Sequence, residues 1–443
     1  MVIHTTLTLA IISLVSSFAH AYDPSPLQDF CVASNDPKAT IFVNGRACKD
    51  PKLVTAEDFF TSGLNNTKFP AFVGSTYSAA SINEIPGLNT LGLTLIRNDF
   101  APNSVTPPHI HPRAAELVLI LEGSVYFGFV TVDPSDRTKN RVYANTYNAG
   151  DVFVTPQGLI HFGANIGTGN VSTIAVFNSQ DPGFNFVPDQ LFGSNPPILD
   201  DVLSKAFRVD KKEATIGAER GGRDGRKRIE ERKVAYAYDP SPLQDFCVAV
   251  NDPQHAVFMN GRVCKDPKLA TADDFFASGL NGIGIPVFPG LKVSVNVADV
   301  NRIPGLNTLG LTVVLAEIGP AGLIPPHTHP RSCEFIMVTQ GSAYVGFVAV
   351  DPRNGGKNRL FAKTLKAGDV FVIPQGLIHF MHNVGVGNAT FFTAYNSQNP
   401  GLITIANEMF GTDPAISEDV LSKAFRIDKE SVKHIQAKFS SGS

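Results

Sequence analysis

The sequence predicts an all-β chain of two similar domains with a few peripheral helices. The segment YDPSPLQDFCVA at residues 22–33 recurs unchanged at 238–249. The long spacing between the two copies indicates a duplicated domain, because the repeats of a solenoid are only about 20–50 residues long. Within each copy, short apolar or alternating runs are separated by Gly, Pro and Asn, which is typical of a small barrel or sandwich. The 443 residues also exceed what one ordinary core holds.

The N-terminal 21 residues predict a secretory signal peptide. Leu7–Val15 is mostly apolar, and Ala19, His20 and Ala21 fit the small-x-small cleavage pattern. The apolar run is too short for a membrane anchor, which needs about 20 residues. The net charge of -3 favours neither nucleic acid nor an anionic membrane as a partner. We therefore expect a protein secreted to the extracellular space.

The repeat places the first domain at residues 22–210 and the second at 238–443. Residues 211–237 between them are charged, contain glycine and have few bulky apolar side chains, which predicts an exposed linker. Its basic stretch Arg226–Arg228 would suit a proteolytic site or a nucleic-acid patch, but a solvated tether is the simpler interpretation.

Four of the five cysteines recur as pairs with the same spacing, Cys31 with Cys48 and Cys247 with Cys264. In an oxidising compartment this pattern predicts one local disulfide in each domain. Structural zinc would need further soft ligands beside each pair, and the sequence has none there. Strand alternation points Cys333 away from the candidate site, so we expect a buried or partly buried free thiol.

The order of elements is the same in both copies. A Cys-bounded loop is followed by amphipathic segments that begin at Thr55 and Thr271, each threonine suiting a helix N-cap. The β-rich part then begins with IPGLNTLGLT. The copies close with DVLSKAFRVD (201–210) and DVLSKAFRID (419–428), which predict helices, and the second copy continues into a helical tail.

Three sequons predict glycosylation in a secreted chain. They begin at Asn65, Asn170 and Asn388.

The most informative motifs are PPHIHPRAAELVLILEG (107–123) and PPHTHPRSCEFIMVTQG (325–341). Histidines two positions apart share one face of a strand. A bend at Pro112 or Pro330 then lets the glutamate open the next strand facing inward. GDVFVTPQGLIHF and GDVFVIPQGLIHF add a third histidine. The predicted metal ligands are His109, His111, Glu116 and His161 in the first domain and His327, His329, Glu334 and His379 in the second. Three imidazoles and one carboxylate suit a divalent transition metal without selecting one.

These motifs resemble those of germin-like proteins of the cupin superfamily, arranged in tandem. The resemblance rests on HIHPRAAE with Gly123, on HTHPRSCE with Gly341, and on GDVFVTPQGLIHFGAN at 150–165 with its counterpart at 368–383. NSQ-x-PG and DVLSKAFR agree as well. The resemblance implies two jelly-roll β-barrel (cupin) domains, each of which holds one manganese ion on its own set of the four ligands named above.

The resemblance also implies an activity. Germin-like proteins are associated with superoxide dismutation, so we expect an apoplastic manganese superoxide dismutase that acts on superoxide as its small-molecule substrate. In oxalate-oxidising germins two asparagines lie beside the metal. The corresponding residues here are Ile96, Thr106, Val314 and Ile324, of which three are apolar. Oxalate oxidation is therefore not favoured.

A non-enzymatic alternative is an extracellular binding or storage protein, because seed storage globulins share the two-domain arrangement. Those globulins generally lack a complete metal set. Single-domain germins are associated with hexamers built as trimers of dimers, which implies a homo-oligomer of three two-domain chains.

Overall fold

The computed structural model describes most of the two predicted domains. The described residues are 29–35, 41–43, 46–67, 69–70, 74–136, 139–194, 196–207, 245–250, 258–350 and 358–440. The predicted signal peptide (1–21) and linker (211–237) lie outside them. Below, residues 29–207 are called the first half and residues 245–440 the second half.

Both halves are built mainly from short antiparallel strands, as the sequence predicts. The strands of the first half are β1 Ala33–Ser34, β2 Phe42–Val43, β3 Arg46–Cys48, β4 Phe60–Thr61, β5 Phe69–Pro70, β6 Ser75–Ala80, β7 Thr94–Phe100, β8 Val105–Ile110, β9 Glu116–Glu122, β10 Ser124–Val132, β11 Asn140–Asn148, β12 Val152–Thr155, β13 Ile160–Ala164, β14 Val171–Phe177 and β15 Asn185–Phe186. Those of the second half are β16 Ala249–Val250, β17 Phe258–Met259, β18 Arg262–Cys264, β19 Phe276–Ala277, β20 Ile285–Val287, β21 Val293–Ala298, β22 Thr312–Ile318, β23 Leu323–Thr328, β24 Glu334–Gln340, β25 Ser342–Val350, β26 Asn358–Lys366, β27 Val370–Ile373, β28 Ile378–Asn383, β29 Ala389–Tyr395 and β30 Ile403–Thr404.

The helices are peripheral. They are α1 Val187–Phe192 and α2 Asp200–Phe207 in the first half, and α3 Ile405–Phe410, α4 Glu418–Phe425 and α5 Lys429–Ser440 in the second. Residues 201–207 and 419–425 of the two DVLSKAFR segments are therefore helical, as predicted, and α5 is the predicted tail. Phe410, Leu421 and Val432 form a small core among α3, α4 and α5. Within the described residues, no helix is long and apolar enough to span a bilayer.

Each half is a barrel of two facing sheets. The five-stranded sheets have the order β11-β10-β13-β8-β15 and β26-β25-β28-β23-β30. The larger sheets contain β12-β9-β14-β7-β6-β5 in the first half and β20-β21-β22-β29-β24-β27 in the second. The fold is thus two β-barrels in tandem, which confirms the all-β prediction.

Each larger sheet gains a seventh strand from the other half. β19 pairs with β12 through Ala277 opposite Val152, and β4 pairs with β27 through Thr61 opposite Val370. The threonine-capped segments before these strands are single 3₁₀ turns, Ala56–Phe59 and Ala272–Phe275, because the exchanged strand follows at once.

Aromatic residues fix this exchange. Phe59 is fully buried and packs edge-on against Phe347 of the second barrel, with ring centroids 5.0 Å apart. Phe275 makes the reciprocal contact with Phe129, also at 5.0 Å. The N-terminal segment of each half therefore completes the core of the other half's barrel.

The two larger sheets also bury their outer faces in one apolar cluster, here called the shared core. Along β9, Leu117 and Leu119 belong to the shared core, while Val118 and Ile120 face the interior of the first barrel. Because both faces of this strand are covered, both alternating sets of its side chains are apolar, and its sequence is a continuous apolar run. By the same alternation Glu116, the first residue of β9, points into the barrel.

The cysteines pair as the spacing predicts. Disulfides join Cys31 to Cys48 and Cys247 to Cys264. Cys333 is a buried free thiol in the shared core. Its Sγ donates a hydrogen bond to the carbonyl of Leu91, 2.9 Å away in the other half.

The exchanged aromatic residues allow a stability test. Phe59→Ala should lower the free energy of unfolding by about 3–5 kcal/mol, the usual effect of deleting a buried phenyl ring. Phe275→Ala should have the same effect, because it opens the matching cavity against the first barrel. Denaturant unfolding of each full-length variant measures the change.

The control is Leu53→Ala. Leu53 is 64% exposed, and its loss should change the free energy of unfolding by no more than about 0.5 kcal/mol. If the two phenylalanine variants were as mild as this control, the reciprocal packing described above would be wrong.

Candidate metal centres

Two adjacent strands position two of the first-half candidates. His109 on β8 lies directly opposite His161 on β13, and cross-strand pairs of this kind share one face of the sheet. Their ring centroids are 4.0 Å apart. His111 follows the end of β8, and Glu116 opens β9 in the facing sheet. The bend at Pro112 thus returns the chain so that Glu116 meets the histidines.

The second half repeats this arrangement. His327 on β23 lies opposite His379 on β28, with ring centroids 4.0 Å apart. Glu334 opens β24 in the facing sheet. The structure brings the eight predicted ligands into two groups, one in each barrel. Within each group, nitrogen and oxygen atoms from all four residues lie within 4.8 Å of one another, and all four residues are buried.

Backbone carbonyls orient all six imidazoles. The Nδ1–H of His109 donates to Pro107, that of His111 to Gly183, that of His161 to Leu159, that of His327 to Pro325, that of His329 to Gly401 and that of His379 to Leu377, at 2.5–2.8 Å. Since a carbonyl oxygen only accepts, Nδ1 carries the proton. In a neutral ring this tautomer leaves a lone pair on Nε2, the arrangement that ordinarily orients a metal-binding histidine.

The lone pairs in each centre face one another. His161 Nε2 lies 2.9 Å from Glu116 Oε2, and His379 Nε2 lies 2.8 Å from Glu334 Oε2. Within the described part of the chain, none of these four buried atoms has a hydrogen-bond donor. Buried acceptors without donors are costly. A proton relieves one such pair, whereas a divalent cation satisfies the whole ligand set.

The protonation states also suit a metal. Burial, followed by repulsion from a neighbouring imidazole, lowers the pKa of His109 and His111 from 6.5 to about 3. The same causes lower the pKa of His327 to about 3. These three imidazoles are therefore neutral at pH 7, as metal ligands must be.

The rims of the two centres differ. In the first half, Phe186 lies beside His109 with ring centroids 5.3 Å apart, and Phe184 lies beside His111 at 4.4 Å. In the second half, Thr404 corresponds to Phe186 and Leu402 corresponds to Phe184. The motifs alone did not single out these positions, although comparing FNF with LIT in the aligned copies shows the difference.

The first residue of the repeated motifs FNSQ and YNSQ also differs between the halves. It is Phe177 in the first half and Tyr395 in the second. Tyr395 donates a hydrogen bond of 2.8 Å to the Oε1 atom of Glu334. Phe177 has no hydroxyl group. The difference was visible in the repeat, but only the register places it beside a candidate ligand.

His382 has a different environment from the candidate ligands. It is half-buried, and its Nδ1–H donates to the carbonyl of Gly322 at 3.0 Å. The sequon asparagines Asn65, Asn170 and Asn388 are all exposed, and their glycosylation stays a prediction.

The cupin family model matches residues 66–215 and 286–433, so the chain belongs to the cupin family. Among the relatives, germin-like protein subfamily 1 member 15 of Arabidopsis thaliana is 52% identical over 206 residues, 46% of this chain and 91% of the relative. Member 17 of the same subfamily is 53% identical over 208 residues, again 46% and 91%. This chain is a tandem germin-like cupin.

Solved structures show the same two-barrel fold. A deletion mutant of Bacillus subtilis oxalate decarboxylase has a TM-score of 0.61 and 18% identity, covering 87% of this chain and 88% of that one. The formate complex of Lactobacillus farciminis oxalate decarboxylase has a TM-score of 0.60 and 19% identity, covering 85% and 95%. At these identities the likeness concerns the fold.

The lowered histidine pKa values predict an acid sensitivity of the metal-free chain. Between about pH 3 and 6.5 the unfolded state binds more protons than the folded state, because its histidines titrate near 6.5. The free energy of unfolding should therefore fall as the pH is lowered through this range. Denaturant unfolding of chelator-treated protein at a series of pH values measures the slope.

The matched control removes two of these groups. A variant with His109→Gln and His327→Gln should show a shallower pH dependence over the same range. Equal slopes for the two proteins would mean that these histidines are not held neutral in the folded state.

Proposed function

We propose that this chain is a secreted manganese-binding germin-like protein with superoxide dismutase activity. The supporting observation is the buried set of three imidazoles and one carboxylate in each barrel, in which two Nε2 atoms and the glutamate Oε2 have no hydrogen-bond partner among the described residues. The ligands are His109, His111, Glu116 and His161 in the first half and His327, His329, Glu334 and His379 in the second.

Manganese is proposed from the germin-like family, because imidazole and carboxylate also bind zinc, iron, copper and nickel. A manganese ion held by these residues would supply the alternation between two oxidation states that dismutation needs. Bacillus subtilis oxalate decarboxylase, which shares the fold, contains Mn(II) centres according to the description of one of its structures.

The residues of this chain have separate tasks in that reaction. Two superoxide anions and two protons give one hydrogen peroxide and one dioxygen. The single carboxylate of each set contributes the anionic charge that favours the higher oxidation state, while the neutral imidazoles add none. The carbonyl-bound Nδ1 atoms hold the rings in place during turnover. Superoxide is small and needs no further binding group.

Oxalate fits this site less well. A dianion needs polar donors near the metal, yet Ile96 and Ile324 are buried apolar residues. Val314 is the third apolar residue at these positions, which leaves the hydroxyl of Thr106. The side chains at the positions that carry asparagine in oxalate-oxidising germins thus favour superoxide over oxalate.

Secretion and assembly complete the proposal. The two disulfides suit an oxidising extracellular space such as the apoplast.

Exposed apolar side chains on the helices that close each half, Phe207, Val420 and Phe425 among them, support a homo-oligomer. We propose three chains in a ring, each supplying two interlocked barrels. Analytical ultracentrifugation would give a mass of three chains, and a monomer would contradict this assembly.

Metal removal tests the proposed activity directly. Chelator-treated protein should lose dismutase activity in a stopped-flow superoxide assay, and manganese should restore it. Zinc should bind without restoring activity, because it does not change oxidation state. Full activity in the metal-free chain would contradict the proposal, whereas metal binding without dismutation would favour the binding-protein alternative.

Substitution of single ligands tests the two centres separately. His161→Ala or His379→Ala should each remove one of two bound metal ions, and the double variant should bind none and have no dismutase activity. The matched control is His382→Ala, which removes a histidine three residues from His379 and should leave metal content unchanged. Equal metal loss in the control would place the site elsewhere.

The oxalate alternative has its own test. We expect no turnover of oxalate by the manganese-loaded chain, because the positions that carry asparagine in oxalate-oxidising germins are mostly apolar here. Steady-state production of hydrogen peroxide from oxalate would show that the site binds the dianion by other groups. Germin-type asparagines introduced together as Ile96→Asn and Thr106→Asn should raise any residual turnover by the first-half centre.

A further inference from the structure

The two candidate centres differ by one hydroxyl group at an equivalent position. Phe177 lies opposite Glu116 on β14 and β9, and Tyr395 lies opposite Glu334 on β29 and β24. The Phe177 ring is 4.6 Å from that of His111. The Tyr395 ring is 4.7 Å from that of the corresponding second-half histidine. The two rings therefore occupy matching places, and the hydroxyl is the added group.

The hydroxyl group of Tyr395 gives the two carboxylate oxygens of Glu334 different partners. Tyr395 donates to Oε1 at 2.8 Å, while Oε2 lies 2.8 Å from Nε2 of His379 and faces the metal ligands. Thr393 in turn donates to the tyrosine oxygen at 3.2 Å. All these groups are buried. These hydrogen bonds thus fix the orientation of the Glu334 carboxylate in the metal-free chain.

Among the described residues of the first half, neither side chain at the corresponding positions can donate to Glu116. Phe177 lacks a hydroxyl group, and Ala175 stands where the second half has Thr393. On the other side of Glu116 lies Thr155 of β12, but its buried hydroxyl has no hydrogen-bond partner among the described residues. Neither neighbour therefore holds the carboxylate of Glu116 in place.

We propose that Tyr395 is a positioning residue that makes the two metal centres inequivalent. By occupying Oε1 it presents Glu334 as a ligand through Oε2 alone, so the second-half centre binds a divalent metal more tightly than the first. The expected difference is about 10–100-fold, the usual effect of a hydrogen-bond partner behind a metal ligand. The inference rests on the proposed metal binding and adds an order of occupancy to it.

Titration of the metal-free, full-length chain with Mn²⁺ tests the proposal. Electron paramagnetic resonance measures free Mn²⁺ at each step and records the fine structure of the bound ion. The wild type should show one tight and one weaker site. His329→Ala should remove the tight site, and His111→Ala should remove the weaker one, which assigns each site to its half.

The decisive variant is Tyr395→Phe, measured in the His111→Ala background. It should weaken the remaining site about 10–100-fold and change its fine structure. Phe177→Tyr, measured in the His329→Ala background, should tighten the first-half site, because the same ring position then carries the hydroxyl. Tyr344→Phe is the control, since Tyr344 packs against Phe380 away from the centre and its hydroxyl should not matter.

The outcomes separate this inference from the proposed function. Two equal sites with no effect of either Tyr395→Phe or Phe177→Tyr would overturn the role of Tyr395 and leave metal binding intact. No Mn²⁺ binding by the wild type would overturn both. If Tyr395→Phe failed to fold, the gain expected for Phe177→Tyr would still decide the matter.

Discussion

The structure depends on one electrostatic constraint. Each barrel brings three imidazoles and one carboxylate within 4.8 Å of one another, and two of the Nε2 atoms and the glutamate Oε2 have no hydrogen-bond partner among the described residues. Backbone carbonyls fix the imidazole tautomers, so the rings cannot turn to donate through Nε2 without losing those bonds. A bound cation would satisfy these groups, and the surrounding strands hold the four side chains in place.

The barrels that meet this constraint are not independent. Each larger sheet is completed by a strand from the other half, and each barrel core includes phenylalanines from the other half's N-terminal segment. The outer faces of the larger sheets share one apolar core. Strands that carry Glu116 and Glu334 are therefore covered on both sides, which gives their first residues a rigid setting.

Much of this was predictable because it follows from local patterns. Histidines two apart, a proline bend and a returning glutamate determine where His109, His111 and Glu116 meet, and the repeated spacing predicted both disulfides. The exchange through Phe60–Thr61 was not predictable, because a two-residue strand has no periodicity and its partner is more than 300 residues away. The role of Tyr395 depended on strand register, which no local pattern specifies.

The most direct test is a crystal structure of the natively purified chain, with diffraction data collected on both sides of the manganese absorption edge. We expect one anomalous peak in each barrel, within bonding distance of the three Nε2 atoms and the glutamate Oε2, with the second-half peak at least as strong as the first. Both barrels without a peak, or a peak away from these atoms, would contradict it.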